Sequence, residues 1–313
     1  MIQRRTIGII GAGNVGVAVA YATFLQARAN EIILIDKNRK KAEGEAMDLT
    51  HGQAFVEKTV VHAGDYADLA AAQIVIITAG VAQQPGESRI DLLNRNAAVF
   101  RDIVSQLDRH SPKSVLIVAS NPVDILTYIT QSLSCRDASL VIGTGTMLDT
   151  GRFRALIGEY YDVDPRSVHA YILGEHGDSE VPIWSSADIG GVPIMNQPLL
   201  GRVFDPDTMH RLFLSVRNAA YEIIDRKGYT SSAIGSVLAR MVEVIMDDRR
   251  AVLPVSVRLT GQYDIHDICI SIPAVLGRNG VEATIQPDLS GAEVEGLRRS
   301  AQLLKRQLAD IDL

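Results

Sequence analysis

Short aliphatic runs alternate with longer segments of helical periodicity through the first 145 residues. Six runs have the length of strands and carry almost no charge, which is typical of strands buried on both faces: Thr6–Ile10, Glu31–Asp36, Thr59–Ala63, Ile74–Thr78, Ser114–Ala119 and Leu140–Ile142. Helical patterns lie between most of them, at Val15–Arg28, Arg39–Gly52, Ile90–Arg109 and Val123–Ser132. This alternation predicts an α/β fold with a doubly wound parallel sheet.

The pattern changes after residue 145, where helices and strands no longer alternate regularly. The later elements are predicted at Met147–Tyr161, Ser167–Leu173, Asp205–Lys227, Ser231–Asp247, Ala251–Leu259, Ile268–Val275, Val281–Ile285 and Ser290–Leu308. The last helix starts with Ser290 and Glu293, which have the spacing of a capping box. We predict two domains, residues 1–145 and an α+β domain at residues 146–313. No linker rich in proline, glycine or serine separates them, so we expect an extensive interface.

Composition and charge exclude several classes of protein. The chain has 313 residues with 31 Lys+Arg and 37 Asp+Glu, a net charge of −6, which argues against nucleic acid as a partner. No apolar run approaches the roughly 18 residues of a membrane span, and no signal-peptide core precedes the first strand. The two cysteines, Cys135 and Cys269, are far apart in sequence, which indicates a cytoplasmic protein with buried thiols. No histidine or cysteine pair has metal-ligand spacing, so we expect no metal.

A glycine-rich loop, Gly11-Ala12-Gly13-Asn14-Val15-Gly16, follows the first predicted strand and opens the first helix. The glycines permit a tight turn, and the helix N-terminus offers N–H groups to a pyrophosphate. Asp36 lies at the end of the second strand, 20 residues after Gly16. A carboxylate there accepts the ribose hydroxyls of an adenosine and repels a 2′-phosphate, although Lys37 beside it weakens that preference. The pattern favours a dinucleotide site and NAD over NADP; the alternatives are a structural turn and a strand-end aspartate.

The segment from Thr78 to Arg89 follows the fourth predicted strand, where loops line the ligand crevice of such sheets. Gly80 and Gly86 are placed as hinges of a lid. Arg89 stands at the start of the next helix, an unfavourable place for a cation near the helix dipole. It is either a functional cation or a surface arginine without a role.

Three polar clusters supply groups that a carbonyl reduction requires. Asn121 follows the fifth strand, and its bond to Pro122 is a candidate cis peptide. Asp149 and Arg152 are three positions apart on one predicted helix and share a face. His176 lies between glycines, which suggests close approach to a bulky group. Five histidines without such a setting are interpreted as surface or structural residues: His51, His62, His110, His210 and His266.

Six motifs in order resemble the L-lactate dehydrogenase family, within the lactate/malate dehydrogenase superfamily, over nearly the whole chain. They are the glycine loop at 11–16, the segment 83–89, Ser120–Asp124, Gly143-Thr144 with Asp149–Arg152, Gly174–Asp178 and Lys227–Thr230. The resemblance implies a Rossmann-type NAD-binding domain followed by a substrate-binding and catalytic domain. It also implies a fermentative, cytoplasmic enzyme that interconverts pyruvate and L-lactate with NAD as cofactor.

The resemblance assigns catalytic roles to His176, Asp149 and Arg89, and a substrate-binding role to Arg152. His176 resembles the acid/base catalyst that gives a proton to the carbonyl oxygen. Asp149 resembles the carboxylate that orients its ring and favours the imidazolium. Arg152 resembles the fork that grips the substrate carboxylate. Arg89 resembles the cation that arrives when the loop closes and polarises the carbonyl.

The resemblance also implies positions around the cofactor and the substrate. The cofactor positions are Gly11, Gly13, Val15, Gly16, Asp36, Lys41, Tyr66, Gly80, Asn121 and Thr144. Asn121 orients the carbonyl oxygen and Thr230 forms the pocket wall. Gln83 stands where related malate dehydrogenases carry arginine, so it favours pyruvate over oxaloacetate, whose second carboxylate is left unpaired. Ser231 and Ser232 depart from the family at a pocket wall that often has an aromatic residue. Because of this departure, a dehydrogenase of larger 2-hydroxy acids remains an alternative function. A malate dehydrogenase is a less favoured one.

A further part of the resemblance concerns regulation. Arg154 and His169 match positions that bind fructose 1,6-bisphosphate in activated bacterial relatives. Arg154 is two residues from Arg152, about 200° around the helix axis, so it faces away from the active site. The resemblance implies a homotetramer in which this anion is shared between subunits; the alternative is a solvated arginine and a structural histidine. A dinucleotide-binding protein without catalysis is the remaining alternative. Such a protein should have lost at least one of His176, Asp149, Arg152 and Arg89, and this chain retains all four.

Overall fold

The computed structural model describes residues 4–81, 86 and 89–311. Its strands are β1 Thr6–Ile10, β2 Glu31–Ile35, β3 Val60–Ala63, β4 Ile74–Ile77, β5 Val115–Val118, β6 Val141–Gly143, β7 Val168–Leu173, β8 Val181–Ile189, β9 Val192–Pro193, β10 Ala251–Thr260, β11 His266–Gly277 and β12 Gly280–Thr284. Its α-helices are α1 Asn14–Leu25, α2 Arg39–His51, α3 Arg89–His110, α4 Val123–Leu133, α5 Met147–Tyr161, α6 Pro206–Lys227, α7 Ser232–Met246 and α8 Gly291–Ala309. Short 3-10 turns lie at Gln53–Phe55, Tyr66–Ala71, Ala138–Leu140, Pro165–Ser167 and Gln262–Asp264. The predicted elements are present, with small shifts at their ends.

The first six strands form the parallel sheet that the sequence predicts, in the order β3-β2-β1-β4-β5-β6. All residues of β1, β4, β5 and β6 are buried, as expected for strands with helices on both faces. The chain runs outward from β1 in one direction and from β4 in the other. The carboxyl ends of these two strands therefore form the crevice in which such sheets bind ligands.

The same sheet continues into the second half of the chain. Strand β10 pairs antiparallel with β6 through Ser256 and Gly143, and β11 and β12 extend the sheet to nine strands. This pairing of β10 with β6 is one part of the extensive contact expected between the two halves of the chain. Periodicity identifies strands but not their partners, so this junction was not visible in sequence. The domain division after residue 145 stays a prediction.

A smaller antiparallel sheet, β7-β8-β9, lies in the second half. The sequence predicted β7 but missed β8 and β9. Strand β8 contains Pro182 and the pair Ser185-Ser186, which interrupt an apolar run. Its buried positions nevertheless alternate and contribute to a second core with Phe153 and Phe213 of the helices α5 and α6. This core supports α5, which carries the candidate site residues Asp149 and Arg152.

Other local expectations have mixed outcomes. The capping box of Ser290 and Glu293 is confirmed at the start of α8. Cys269 is buried, but Cys135 is exposed, so the expectation of two buried thiols is wrong for the cysteine that follows the end of α4. Among the described residues, no helix is long and apolar enough to cross a membrane.

Candidate active site

The glycine-rich loop turns between β1 and α1 at the crevice. Gly11 has a φ of +104°, and a Cβ there would collide with the backbone of Ala79, which follows β4. A Cβ at Gly16 would overlap the carbonyl oxygen of Gly11. At Gly13, in contrast, a Cβ would meet no described protein atom within 4 Å. Because no side chain in the described chain caps the start of α1, its first N–H groups and this open space fit a pyrophosphate.

Asp36 lies directly after β2 and is tied to the loop. Its carboxylate accepts hydrogen bonds from the backbone N–H groups of Ala12 and Asn38, both at 2.8 Å. These bonds fix a negative charge beside the glycine loop and leave further lone pairs on both oxygens. The position fits recognition of ribose hydroxyls by a dinucleotide site.

The other predicted cofactor positions lie in segments that follow the strands of the parallel sheet. Gly80, Asn121 and Thr144 come after the neighbouring strands β4, β5 and β6, and therefore at the same edge of the sheet. Val15 is in the first turn of α1, whereas Lys41 is exposed near the start of α2. A last position, Tyr66, begins the 3-10 turn after β3 and is half-buried against the core. Their roles toward a cofactor stay predictions.

The structure brings His176, Asp149 and Arg152 together. Asp149 is in the first turn of α5, and its Oδ2 lies 2.6 Å from Nδ1 of His176, which follows β7. The other oxygen, Oδ1, accepts a hydrogen bond of 2.9 Å from Nη1 of Arg152, one turn along the helix. The Asp149 side chain is 4% exposed, but His176 and Arg152 are 24% and 16% exposed. The acid is thus covered while the two cationic side chains keep open surface.

The charges in this cluster favour a protonated histidine. Burial opposes the charge on His176, but the Asp149 carboxylate outweighs it and raises the pKa of the imidazole to about 9. Burial likewise opposes the charge on Asp149, yet His176 and Arg152 hold the pKa of this carboxyl below its ordinary value. At neutral pH the pair is therefore imidazolium and carboxylate. Because Nδ1 faces Asp149, Nε2 is the ring nitrogen available to a substrate.

Other predicted substrate residues are placed less completely. The Asn121–Pro122 peptide is cis, as predicted, and Asn121 is exposed just beyond β5. Thr230 is half-buried in the segment that leads into α7. Gln83 lies outside the described residues. Arg89 begins α3, but its side chain is outside the described part of the structure.

The two residues predicted to bind an effector lie on α5 and on β7, which packs against it. Arg154 donates from Nε to the carbonyl oxygen of Ala170 on β7 at 2.9 Å, and its guanidinium lies 5.1 Å from the centre of the Tyr171 ring. His169 is exposed on the same strand, two residues before Tyr171. Arg154 and His169 therefore lie on the adjoining elements α5 and β7.

Sequence reasoning gave no role to two buried acids near the loop that carries His176. Asp124 in α4 accepts a hydrogen bond from the backbone N–H of His176 at 2.8 Å. Glu180 is buried, and its Oε1 has no hydrogen-bond partner in the described chain. Burial raises the pKa of Glu180 to about 8, with a contribution from the charge of Asp149. The proximity of Asp124 to His176 across 52 residues has no local signal in the sequence. No cluster of three or more metal-ligating side chains occurs in the described ranges.

Together, this fold and this site define an NAD-dependent oxidoreductase. Residues 5–143 match the family model for the NAD-binding domain of lactate/malate dehydrogenases, and residues 146–312 match the model for their α/β C-terminal domain. The chain belongs to the lactate/malate dehydrogenase family.

Individual relatives support this assignment over the full length. The chain is 55% identical to an L-lactate dehydrogenase of Salinibacter ruber over 312 residues, 99% of both chains. Its structure is similar to that of a minor L-lactate dehydrogenase from Enterococcus mundtii, with a TM-score of 0.96 and 46% identity over 99% of each chain. A lactate dehydrogenase from a Medee basin deep-sea metagenome library has a TM-score of 0.95 and 43% identity, again over 99% of each chain.

Proposed function

We propose that this protein catalyses the reversible reduction of pyruvate to L-lactate with NADH. The observation that carries the proposal is the ion pair of His176 and Asp149 with Arg152 one helical turn away. It combines a proton donor and an anion-binding fork within a dinucleotide-binding fold. The L-lactate dehydrogenases to which the chain is similar support the choice of substrate. NADH, when bound, supplies the hydride.

His176 carries the proton in this mechanism. Its Nε2–H donates to the carbonyl oxygen of pyruvate and gives up the proton as the oxygen gains negative charge. The Asp149 carboxylate holds Nδ1–H at 2.6 Å, which fixes the ring and stabilises the imidazolium before the transfer. In lactate oxidation the neutral ring takes the proton back from the hydroxyl group.

The remaining groups orient the substrate. Arg152 binds the pyruvate carboxylate with two parallel hydrogen bonds while retaining its contact with Asp149. Arg89 polarises the carbonyl when the loop between Gly80 and Gly86 closes and excludes water. Asn121 orients the carbonyl oxygen, and Thr230 lines the pocket.

The substrate preference is tested by NADH oxidation with pyruvate, oxaloacetate and 2-oxoisocaproate under identical conditions. We expect pyruvate to have the highest kcat/KM, at least about 10²-fold above oxaloacetate, because Gln83 leaves a second carboxylate without a partner. The variant Gln83→Arg provides the control and is expected to improve oxaloacetate relative to pyruvate. A higher kcat/KM for 2-oxoisocaproate would overturn the proposal in favour of the alternative that Ser231 and Ser232 support, a dehydrogenase of larger 2-hydroxy acids.

We also propose that fructose 1,6-bisphosphate activates the enzyme through Arg154 and His169. Two such pairs from neighbouring subunits would share the phosphates. The choice of a homotetramer as the active assembly rests on the resemblance to the bacterial enzymes of the family. The exposure of His169 and the orientation of Arg154 toward β7 agree with a binding site outside the catalytic pocket. We place this reaction in the cytoplasm and keep the domain division after residue 145 as part of the same proposal.

Removing the effector side chains is expected to abolish activation without lowering basal turnover. The double variant Arg154→Gln/His169→Gln should lose the increase in kcat/KM that fructose 1,6-bisphosphate gives the parent, which we expect to be at least about fivefold. The measurement is initial-rate kinetics with and without the bisphosphate, with inorganic phosphate at equal ionic strength as the control. Activation that survives in the double variant would place the effector elsewhere.

A further inference from the structure

Asp124 is a buried carboxyl group that the proposed mechanism leaves without a role. It lies in the first turn of α4 and is 1% exposed. Its Oδ2 accepts the backbone N–H of His176 at 2.8 Å, and its Oδ1 accepts the hydroxyl of Ser256 at 2.5 Å. Both oxygens therefore have donors, as a buried carboxylate requires.

These two bonds join three separate parts of the molecule. Asp124 belongs to the helix after β5, whereas Ser256 is the residue of β10 that pairs with Gly143 of β6, where the sheet continues into the second half. The third partner is the loop that carries the catalytic histidine. His176 is consequently held at two points, at its backbone by Asp124 and at ring Nδ1 by Asp149. Fixing both ends of a side chain limits the positions that its free nitrogen can reach.

The charge of Asp124 also acts on the ring. The carboxyl groups facing His176 are Asp149 from α5, Asp124 from α4 and Glu180 from the following segment. Both Asp149 and Asp124 favour the charged form of the imidazole.

The state of Asp124 depends on its own neighbours. Burial raises the pKa of Asp124 to about 6, against the opposing effect of the Ser256 hydroxyl and the His176 backbone N–H, so the group is largely ionised at pH 7. Glu175 on the same loop and Cys269 on β11 are the other titratable groups near it. Burial raises the pKa of the Cys269 thiol well above its ordinary value, which keeps the thiol neutral.

We propose that Asp124 is a positioning residue that fixes the backbone of His176 and supplies a second negative charge to its imidazolium. Its kinetic consequence rests on the proposed function, but the proton affinity of His176 is measurable without turnover. Asp124 thereby couples the junction between the two halves of the chain to the charge of the catalytic group.

The variant Asp124→Asn separates charge from hydrogen bonding. Its Oδ1 still accepts the His176 N–H, and its Nδ2 donates to the oxygen of Ser256, so both bonds are retained. We expect the pH midpoint of His176 to fall by about one unit, a tenfold loss of proton affinity. The probe is diethyl pyrocarbonate, which acylates only the neutral imidazole, and the readout is the rate of His176 modification against pH by peptide mass spectrometry. The pH at which kcat/KM for pyruvate falls on the alkaline side of its profile should decrease by the same amount.

Glu293→Gln provides a control for the removal of a buried carboxylate elsewhere in the molecule. Glu293 is another largely buried carboxylate near the start of a helix, and it accepts the hydroxyl of Ser185 at 2.5 Å and the backbone N–H groups of Trp184 at 2.8 Å and Ser290 at 2.7 Å. Its amide loses one of these backbone bonds, so the control perturbs its surroundings at least as much as Asp124→Asn does. Glu293 does not act on His176, and the control should leave the midpoint in place. If Asp124→Asn does not fold, Asp124→Ser removes the same charge with a smaller side chain. It should lower the pH midpoint of His176 in the same way.

The outcomes are distinct. An unchanged His176 midpoint in the folded, charge-removing variant, or an equal movement in Glu293→Gln, overturns the inference. A shifted midpoint in a protein whose parent does not reduce pyruvate upholds the role of Asp124 and refutes the proposed function instead.

Discussion

Replacing His176 with asparagine is expected to lower kcat for pyruvate reduction by about 10²- to 10⁴-fold, the range that general acid catalysis contributes. Asparagine is planar and still reaches Asp149 by a hydrogen bond, but it has no proton to give to the carbonyl oxygen at neutral pH. The loss should appear in both directions of the reaction, because the same ring takes the proton back from lactate. Initial rates of NADH oxidation and NAD reduction measure the two directions separately.

Cofactor binding provides the necessary control for this variant. NADH affinity, followed by the fluorescence of the bound nicotinamide, should be within a few-fold of the parent, since the glycine loop and Asp36 lie on the other half of the chain. His210→Asn makes the same exchange at an exposed position of α6 and should retain full activity. Activity of His176→Asn within tenfold of the parent would show that another group supplies the proton.

The sequence predicted the elements that carry the site better than the contacts between them. Helix α5 was predicted with the ends that the structure has, and the three-residue spacing of Asp149 and Arg152 correctly placed them on one face. Such predictions succeed because periodicity and helix geometry are local. Strand β8 was missed because the prediction depends on local periodicity, and Pro182 and two serines obscure the alternation of its apolar residues.

The environment of His176 required the folded chain. The ring meets Asp149 from 27 residues away, and its backbone meets Asp124 from 52 residues away. Ser256, 132 residues after Asp124 in the chain, donates its hydroxyl to the Asp124 carboxylate. No local pattern in the sequence indicates these contacts, because they depend on the pairing of β10 with β6 and on the position of the loop that follows β7. Resemblance to a family supplied the pairing of His176 and Asp149, but it supplied no role for Asp124 or Glu180.

The second large effect is expected at Arg152, where lysine keeps the positive charge and removes the planar fork. A charge-assisted hydrogen bond contributes about 1.5–3 kcal/mol. Losing the two-bond geometry to the substrate carboxylate, about 3–4 kcal/mol in all, should therefore lower kcat/KM for pyruvate by about 10²- to 10³-fold. Lysine at this position can still pair with Asp149, so His176 should keep its raised pKa and NADH binding should be unchanged. The defect is therefore expected mainly in the recognition of the carboxylate.

A substrate without that carboxylate separates recognition from general damage. The parent should prefer pyruvate over pyruvamide strongly, because the neutral amide cannot make two charge-assisted bonds to Arg152. In Arg152→Lys the preference should shrink by about the same 10²- to 10³-fold, since only pyruvate loses binding energy. Arg166→Lys makes the same exchange at a side chain that is 89% exposed and paired with Asp164, and it should leave the preference intact. If Arg152→Lys slowed both substrates equally, Arg152 would act by holding Asp149 and His176 in place, and the carboxylate would have to be bound by another cation.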